Sequence, residues 1–312
     1  MKRTDQQMGS EEMPREAGPD RKVYILLPVH NRKSITGEFV RCLKAQRYGN
    51  YHLVLIDDGS TDGTDAMVRE QIANLTVIKG VGRWWWGGSL QQGYLWLRDQ
   101  ETHDHDVVLI MNDDTEFEAD FLERGLEILR NHPRSFLLAQ CYSRSTGALL
   151  DSGVHADWRR LTFLQAEKPE DINCLSTMGL FIQAPDFFSV GGFHPKLLPH
   201  FTSDYEFTIR AHGKGFSLIT DPSLRLWLKE ETTWNRDIGQ EPFFAFLRLF
   251  FSKRSAYNPV MWTFFVALVC PPRWKLQNWL KIWANSLDII CRRIGGPIHL
   301  PGSTHVAKKE TS

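Results

Sequence analysis

The sequence lacks an excess of charge of either sign. Its 312 residues include 37 Lys and Arg and 37 Asp and Glu, so the formal net charge is zero. A protein that binds nucleic acid through its phosphates needs a strongly basic surface, and this balance does not indicate one. We therefore expect no nucleic-acid partner.

Cysteine is also sparse, and no two cysteines have the CxxC spacing. The five are Cys42, Cys141, Cys174, Cys270 and Cys291. An odd, scattered set predicts neither a disulfide framework nor a zinc site, and reduced thiols are typical of a cytoplasmic protein. The first 22 residues contain no apolar segment of the kind found in secretory signals. We expect residues 1–22 and 295–312 to be disordered.

Short apolar runs alternate with segments of helical character along the first third of the chain. Residues 23–29 form a continuous apolar run, as expected for a strand covered on both faces of a parallel sheet. Further strands are predicted at residues 52–57, 75–78 and 107–111. This alternation is typical of a doubly wound α/β sheet, in which ligands bind at the carboxyl ends of strands. The polar loops after the first, second and fourth strands are therefore expected to meet in one crevice.

The loop after the second strand is acidic and reads Asp-Asp-Gly-Ser-Thr-Asp-Gly-Thr over residues 57–64. One interpretation is a turn with a helix cap, because Asp, Ser and Thr satisfy free amides there. A calcium loop is disfavoured, because Arg69 occupies the position of its last ligand and a strand precedes it. The third interpretation is a nucleotide site whose carboxylate accepts hydrogen bonds from a base or ribose. Spacing alone leaves the cap and the nucleotide site equally open.

Two segments at this spacing resemble family 2 glycosyltransferases, which have the GT-A fold. They are Pro28-Val29-His30-Asn31 and the Ile-Asp-Asp-Gly-Ser stretch at residues 56–60, and His30 replaces the family's usual Tyr. The resemblance implies an inverting transfer of a sugar from a nucleoside diphosphate donor. It also implies that Pro28, His30 and Asp58 hold the nucleoside. We assign Val29, Asn31 and Asp57, from the same segments, to the donor site.

A second acidic cluster, Asn112-Asp113-Asp114, follows the fourth strand. A capped strand-to-helix turn is one interpretation. The other is a site for Mg²⁺ or Mn²⁺, which one or two carboxylates hold together with phosphate oxygens. The family's short acidic metal motif lies at this place, which implies Asp114 as the first ligand and Asp113 as the second. Asn112 replaces the first acid of the commonest form, and we assign it to the donor site with Asp113.

A third group of polar residues begins at Ser203 and is predicted to be helical. Its acids Asp204 and Glu206 favour the helix N-terminus, where they stabilise the dipole and could pair with Arg210. Alternatively, one carboxylate acts as the general base that takes the proton of an acceptor hydroxyl. Residues 179–215 resemble the second half of the same family, with Ser203 in place of its usual Glu. The resemblance implies Asp204 as the base, and it implies acceptor contacts or loop support for Gly179, Glu206 and Arg210.

Three adjacent tryptophans stand in a loop before the third predicted helix, at residues 84–86. Neighbouring side chains point in different directions in any regular element, so the three cannot all face one core. They could pack beneath the loop, or present flat apolar faces to sugar rings. We predict that at least one, Trp85 or Trp86, contacts sugar and that Arg83 contacts the diphosphate.

The last quarter of the chain is rich in apolar and aromatic residues. A run at residues 260–270 is too short to span a bilayer, and residues 273–293 carry an amphipathic pattern with basic residues. Two interpretations remain open. These helices bind the cytoplasmic face of a membrane, or they pack on the catalytic domain and close its acceptor side.

Together these patterns predict an α/β protein of GT-A type, with a Rossmann-like, mostly parallel sheet at residues 23–230 and a helical extension at residues 231–294. The expected acceptor is a saccharide or lipid-linked saccharide, as in polysaccharide biosynthesis for the cell envelope. A sugar-nucleotide pyrophosphorylase is disfavoured, because no Gly-rich loop follows the first strand. A non-catalytic nucleotide-sugar or glycan-binding protein would be expected to lose Asp204 or the Asp113-Asp114 pair.

Overall fold

A computed structural model describes residues 21–229, 238–253 and 255–300. Its main feature is a nine-stranded sheet of order β3-β2-β1-β4-β10-β6-β11-β5, with β7 paired to β6. The strands are β1 (Val23–Val29), β2 (Tyr51–Asp57), β3 (Leu75–Lys79), β4 (Val107–Ile110), β5 (Thr115–Phe117), β6 (Ser135–Ser143), β7 (Leu149–Asp151), β10 (Leu180–Gln183) and β11 (Ser217–Leu228). A separate hairpin consists of β8 (Val154–Asp157) and β9 (Thr162–Gln165).

Helices cover both faces of this sheet and continue beyond it. They are α1 (Lys33–Lys44), α2 (Thr64–Gln71), α3 (Trp85–Arg98), α4 (Phe121–Asn131), α5 (Ala184–Val190), α6 (Ser203–Gly213), α7 (Phe243–Phe250), α8 (Pro259–Val269) and α9 (Pro272–Ile294). The elements predicted from apolar periodicity in the first 110 residues are all present, with ends shifted by a few residues at most.

The continuous apolar run of β1 follows from its place between two layers of helices. Its odd-numbered residues, such as Ile25, join a core cluster with α1 and α4, and its even-numbered residues, such as Leu26, join a second cluster with α3, α5 and α6. Every residue of β1 is buried. Burial of each large side chain stabilises the fold by about 1.5–3 kcal/mol, so both faces of the sheet contribute to its core.

The sheet is mixed, although most of its strands run in one direction. Strands β3, β2, β1 and β4 are parallel, and β6 and β11 form a second parallel pair. Strand β10 lies between β4 and β6 and is antiparallel to both. The predicted mostly parallel sheet is confirmed, and β10 joins its two parallel parts.

The helical extension packs on the α/β domain along one side. Phe265 of α8 lies in a cluster with Tyr205 of α6 and with the β8–β9 hairpin. Asn278 of α9 donates a hydrogen bond to the Trp158 carbonyl in the hairpin turn, at 2.9 Å. The opposite side of α9 is exposed. No helix in the described part of the chain is long and apolar enough to cross a membrane.

The predicted disorder at the termini falls mostly outside the described residues, which exclude 1–20 and 301–312. The predicted domain boundary near residue 230 also falls outside them, at 230–237. Residues 295–300 are described, and they differ from the expectation of a free tail. Ile298 donates to the Gly239 carbonyl and accepts from the Gln240 amide, so this segment is held against the turn that precedes α7.

Candidate active site

The loops after β1 and β2 are bonded to each other. The Asp58 amide donates to the Val29 carbonyl at 3.0 Å. Asn31 donates from its main-chain N–H to the Ser60 hydroxyl at 2.9 Å, and its side-chain oxygen accepts from the Thr61 amide at 2.8 Å. The sheet order explains this, because β1 and β2 are parallel neighbours whose carboxyl ends lie at the same edge.

The buried carboxylate of Asp58 accepts four main-chain hydrogen bonds from the loop that begins α3. The Oδ1 atom accepts from Gly82 at 2.8 Å and Arg83 at 3.1 Å, and Oδ2 accepts from Trp84 at 2.7 Å and Trp85 at 3.2 Å. A carboxylate has about four lone-pair sites, so these amides fill them. Asp58 therefore caps a helix, but α3 rather than the adjacent α2. Asp58 thus shapes the loop of residues 82–85, and its predicted contact with the nucleoside stays a prediction.

Asp57 and Gly59 close the turn that places this carboxylate. Asp57 accepts from the Ser60 amide at 2.8 Å through Oδ1, and its carbonyl accepts from Gly59 and Gly80. Gly59 has a φ of +76°, and a Cβ there would lie 2.7 Å from the Gly82 nitrogen. A larger residue would be strained and would push away the loop that Asp58 holds.

His30 is exposed in the loop after β1. Its Nδ1 lies 2.6 Å from the Asp58 carbonyl, and its Nε2 lies 3.2 Å from Asn31 Nδ2. Donation from Nδ1 leaves Nε2 as the acceptor, so the two contacts fix both the ring and its tautomer. The ring is therefore held beside the loop that leads into α3, close to Gly82.

The carboxylates of Asp113 and Asp114 lie together on the guanidinium of Arg32. Arg32 Nε is 3.0 Å from Asp113 Oδ1, and Arg32 Nη2 is 2.9 Å from Asp114 Oδ2. The Thr36 hydroxyl donates to Asp113 Oδ2 at 2.8 Å. Sequence reasoning missed Arg32 as a site residue, although its place directly after His30-Asn31 in a strand-end loop was a usable signal.

Burial has the largest effect on the pKa of Asp113. It raises the pKa of Asp113 to about 6; the neighbouring charge of Asp114 adds to the rise, and Arg32 and Thr36 act against it. Beside the pair, the side-chain oxygen of Asn112 is buried and accepts no hydrogen bond from any described residue. The site thus combines two carboxylates and an amide oxygen, a set of hard donors.

These donors fit Mg²⁺ or Mn²⁺. The guanidinium between the two carboxylates shows that the site holds positive charge. Within the described ranges, no group of three or more His, Cys, Asp or Glu side chains is arranged to hold a metal. A cation here would thus take its remaining ligands from outside that set, which suits an ion that binds through one or two carboxylates and phosphate oxygens.

Asp204 is half-buried in the first turn of α6, next to the start of α3. The Gly87 amide in α3 donates to the Pro199 carbonyl at 2.9 Å, just before α6 begins. Asp204 also lies close to Cys174; burial, and then the Asp204 charge, raises the pKa of this thiol well above its usual value. The predicted base thus stands between the tryptophan loop and the chain segment that leads to Gly179.

Glu206 and Arg210 brace a neighbouring loop. Arg210 forms a two-point ion pair with Glu206, at 2.7 and 3.0 Å, and Glu206 is 1% exposed. The same guanidinium donates to the carbonyls of Val190 and Gly192 at 2.6 and 2.8 Å. Of the two roles predicted for this pair, these contacts correspond to loop support.

Gly179 forms main-chain hydrogen bonds with both β4 and β6. Its amide donates to the Ile110 carbonyl at 2.9 Å, and its carbonyl accepts from Ala139. Its φ is +83°, and a Cβ would lie 2.5 Å from Leu226 Cδ2. This position requires glycine for backbone and packing reasons, again a supporting role.

The side chains of the three tryptophans lie in different surroundings, as expected for neighbouring residues in a turn. Trp84 and Trp86 pack against the core cluster on the α3 side of the sheet. Trp85 has a left-handed backbone with φ of 59°, and its ring centroid is 5.8 Å from that of His200. Arg83 is exposed beside it. The core packing of Trp86 leaves Trp85 as the stronger candidate for a sugar contact.

The sequence profile described as glycosyl transferase family 2 matches residues 24–184, which is more than half of the chain. The chain belongs to glycosyltransferase family 2. The matched region contains the Asp58 loop and the Arg32–Asp113–Asp114 cluster. No curated protein matches the sequence.

Solved structures support the same fold. TarS of S. aureus, residues 1–349, superposes with a TM-score of 0.52 at 15% identity, over 88% of this chain and 81% of that one. GalNAc-T7, solved with UDP, GalNAc and Mn²⁺, superposes with a TM-score of 0.55 at 13% identity, over 67% of this chain and 43% of that one. The predicted GT-A fold is confirmed.

Proposed function

We propose that this family 2 protein transfers a sugar, with inversion, from a nucleoside diphosphate sugar to the hydroxyl of a saccharide or lipid-linked saccharide. The observation that carries the proposal is the buried Asp113–Asp114 pair at the carboxyl end of β4. It lies on a guanidinium from the loop after β1, which is bonded to the Asp58 loop. Charge and position both suit a cation bound to a diphosphate.

The donor would lie along the loops after β1 and β2. His30 offers an exposed ring to the base, and the buried residues Pro28 and Val29 precede it at the end of β1. Asp58 acts indirectly, by holding the main chain of residues 82–85 in place. Arg83 is exposed on that loop, from which its side chain can reach a diphosphate.

The leaving group is a nucleoside diphosphate, whose negative charge must be neutralised as the glycosidic bond breaks. Asp114 and Asp113 would hold Mg²⁺ or Mn²⁺, which supplies that neutralising charge when it is bound. Asp204 takes the proton of the acceptor hydroxyl as the hydroxyl oxygen bonds to the anomeric carbon. A carboxylate in the first turn of a helix interacts favourably with the helix dipole, which suits the place of Asp204 in α6.

The proposal is tested by a thermal-shift screen of nucleoside diphosphates and nucleotide sugars, followed by turnover assays. We expect one nucleotide class to raise the melting temperature in the presence of Mn²⁺ and not in EDTA, because selective binding stabilises the folded state. UDP and UDP-GalNAc belong in the screen, because GalNAc-T7 was solved with UDP and GalNAc.

Three results would contradict the proposal. Equal turnover in EDTA would remove the cation from the mechanism. Selective binding without turnover on any acceptor would favour a non-catalytic binding protein. Formation of a nucleotide sugar from a nucleoside triphosphate and a sugar phosphate would favour a pyrophosphorylase.

We further propose that the extension binds the cytoplasmic face of a membrane that holds a lipid-linked acceptor for cell-envelope polysaccharide. Exposed large apolar side chains are concentrated on α7, α8 and α9 and include Phe244 (84% exposed), Phe264, Leu276 (68%), Leu280 (65%) and Leu287. The indole of Trp283 in α9 bonds the Thr263 hydroxyl in α8, so the exposed sides of these two helices are adjacent. Apolar area with nearby basic residues favours an anionic lipid surface.

Vesicle sedimentation tests this surface. Replacing Leu276 and Leu280 with Glu should release the protein from vesicles that contain anionic lipid, and transfer to a water-soluble acceptor should stay unchanged. The matched control is Leu164→Glu, because Leu164 is an exposed leucine on the β8–β9 hairpin. Unaltered vesicle binding would contradict the proposal. A change from dimer to monomer without any vesicle binding would make the surface a contact between copies of the chain instead.

A further inference from the structure

The two carboxylates assigned to the cation already share a positively charged partner. The side chains of Asp113 and Asp114 are only 6% and 9% exposed, whereas that of Arg32 is 28% exposed. Arg32 reaches them from the residue that immediately precedes α1, more than 80 positions away in the sequence. The ion pair is therefore a tertiary contact and is independent of the strand-end turn that holds the two acids.

One guanidinium contacts both carboxylates, and one of the two contacts is a hydrogen bond. Nη2 donates to Asp114 Oδ2 at 2.9 Å, whereas Nε lies 3.0 Å from Asp113 Oδ1 as an ion pair without a hydrogen bond. Adjacent carboxylates repel each other most where water is scarce, and a shared cation relieves this repulsion. The Thr36 hydroxyl takes the second oxygen of Asp113, so that Asp113 is held from two sides.

We propose that Arg32 is the built-in counter-cation of this pair and that it sets the affinity of the site for a divalent ion. The inference rests on the proposed function for the identity of the ion site. Arg32 is a positioning residue here: in the absence of a divalent ion it keeps both carboxylates together. An ion that binds Asp114 Oδ2 must displace the Nη2 arm from that oxygen.

Competition between Arg32 and the divalent ion affects the order in which the ion and the donor bind. With two carboxylates as ligands and a guanidinium already in contact with both, the ion alone is expected to bind weakly. A diphosphate adds oxygen ligands and charge that offset the loss of the Arg32 contact. Cation and donor should therefore bind cooperatively, and removal of Arg32 should reduce that cooperativity by raising the affinity for the ion alone.

The test measures binding of MnCl₂ alone to the full chain, by the loss of the free-ion electron paramagnetic resonance signal. We expect Arg32→Met to bind Mn²⁺ roughly tenfold more tightly than wild type, because a like charge beside the ion has been removed. Arg32→Lys, which keeps the charge but lacks the guanidinium that contacts both carboxylates, should fall between them. The matched control is Lys33→Met, because Lys33 is an exposed neighbour of equal charge, and it should change the affinity less than about twofold.

A second readout separates competition from a general structural effect. In EDTA, Arg32→Met should melt at a lower temperature than wild type, and saturating Mn²⁺ should remove most of the difference. Equal or weaker Mn²⁺ binding by Arg32→Met would overturn the inference. If that variant does not fold, Arg32→Lys decides, and binding no tighter than that of wild type would overturn it.

Failure of the counter-cation role and failure of the proposed ion site give different results. If Mn²⁺ binding depends on Asp114 but not on Arg32, the ion site stands and the counter-cation role fails. If Asp114→Asn binds Mn²⁺ as wild type does, the ion site itself fails.

Discussion

Replacement of Asp204 by Asn is expected to lower the rate of sugar transfer by about 100- to 10,000-fold, the range that a positioned general base contributes. Asn has nearly the same shape and keeps a polar group in the first turn of α6, so the helix should remain intact. It cannot accept the proton of the acceptor hydroxyl. Binding of the nucleoside diphosphate with Mn²⁺ should be unchanged, because the role proposed for Asp204 concerns the acceptor.

Initial rates at saturating donor and calorimetric titration of the nucleotide measure the two effects separately. Asp186→Asn is the matched control, since Asp186 is also a first-turn carboxylate, in α5 and outside the site; it should leave transfer unchanged. If Asp204→Asn retains transfer within about threefold of wild type, a different group removes the proton and the base assignment is wrong. Asp151, a buried carboxylate close to Cys174 and Tyr205, would then be the next candidate.

Replacement of Asp58 by Ala is expected to lower the free energy of unfolding by about 2–4 kcal/mol and to weaken donor binding at least tenfold. Hydrogen bonds to a charged group contribute about 1.5–3 kcal/mol each, but part of this is regained where water reaches the exposed amides of Gly82 and Arg83. Donor binding falls because residues 82–85 lose the carboxylate that orders them.

Urea unfolding and nucleotide titration check this result. Asp58→Asn should fall between wild type and Asp58→Ala, because its amide has one oxygen acceptor in place of two. Asp57→Asn provides the comparison, since Asp57 carries the same charge next door but accepts only the Ser60 amide through its side chain among the bonds described. If Asp57→Asn lowers the free energy of unfolding and the affinity for the donor as much as Asp58→Asn does, or more, the four amides do not depend on Asp58.

The parallel half of the sheet was predictable because its strands and helices follow from local patterns of apolar residues. A run such as that of β1 is apolar at every position, since both of its faces meet helices, and the lengths of the helices between strands fit right-handed crossovers. The meeting of the strand-end loops follows from the same pattern. Parallel neighbours have their carboxyl ends at one edge, so the acids after β2 and β4 had to lie near the loop after β1.

Pairings between distant residues were not predictable from local patterns. Strand β10 has four residues and no alternation that would reveal its place between β4 and β6. The spacing around Asp58 left open a cap on the helix that follows it, but Asp58 bonds the start of a helix that begins 27 residues later. Arg32 stands in a polar loop where solvation is the ordinary expectation, and only the neighbouring positions of β1 and β4 bring it to Asp113.

The hydrogen bond from Gly87 to Pro199 has a kinetic consequence. It joins the first turn of α3, whose start Asp58 fixes, to the chain that enters α6, where Asp204 stands. A Cβ on Gly87 would lie 2.6 Å from the Leu198 carbonyl oxygen, so the two segments are in direct backbone contact. We therefore expect a shift of residues 82–85 to be passed to the chain that enters α6 and so to the proposed base. Such coupling favours an ordered sequence, in which the nucleotide sugar enters first and leaves last as its diphosphate.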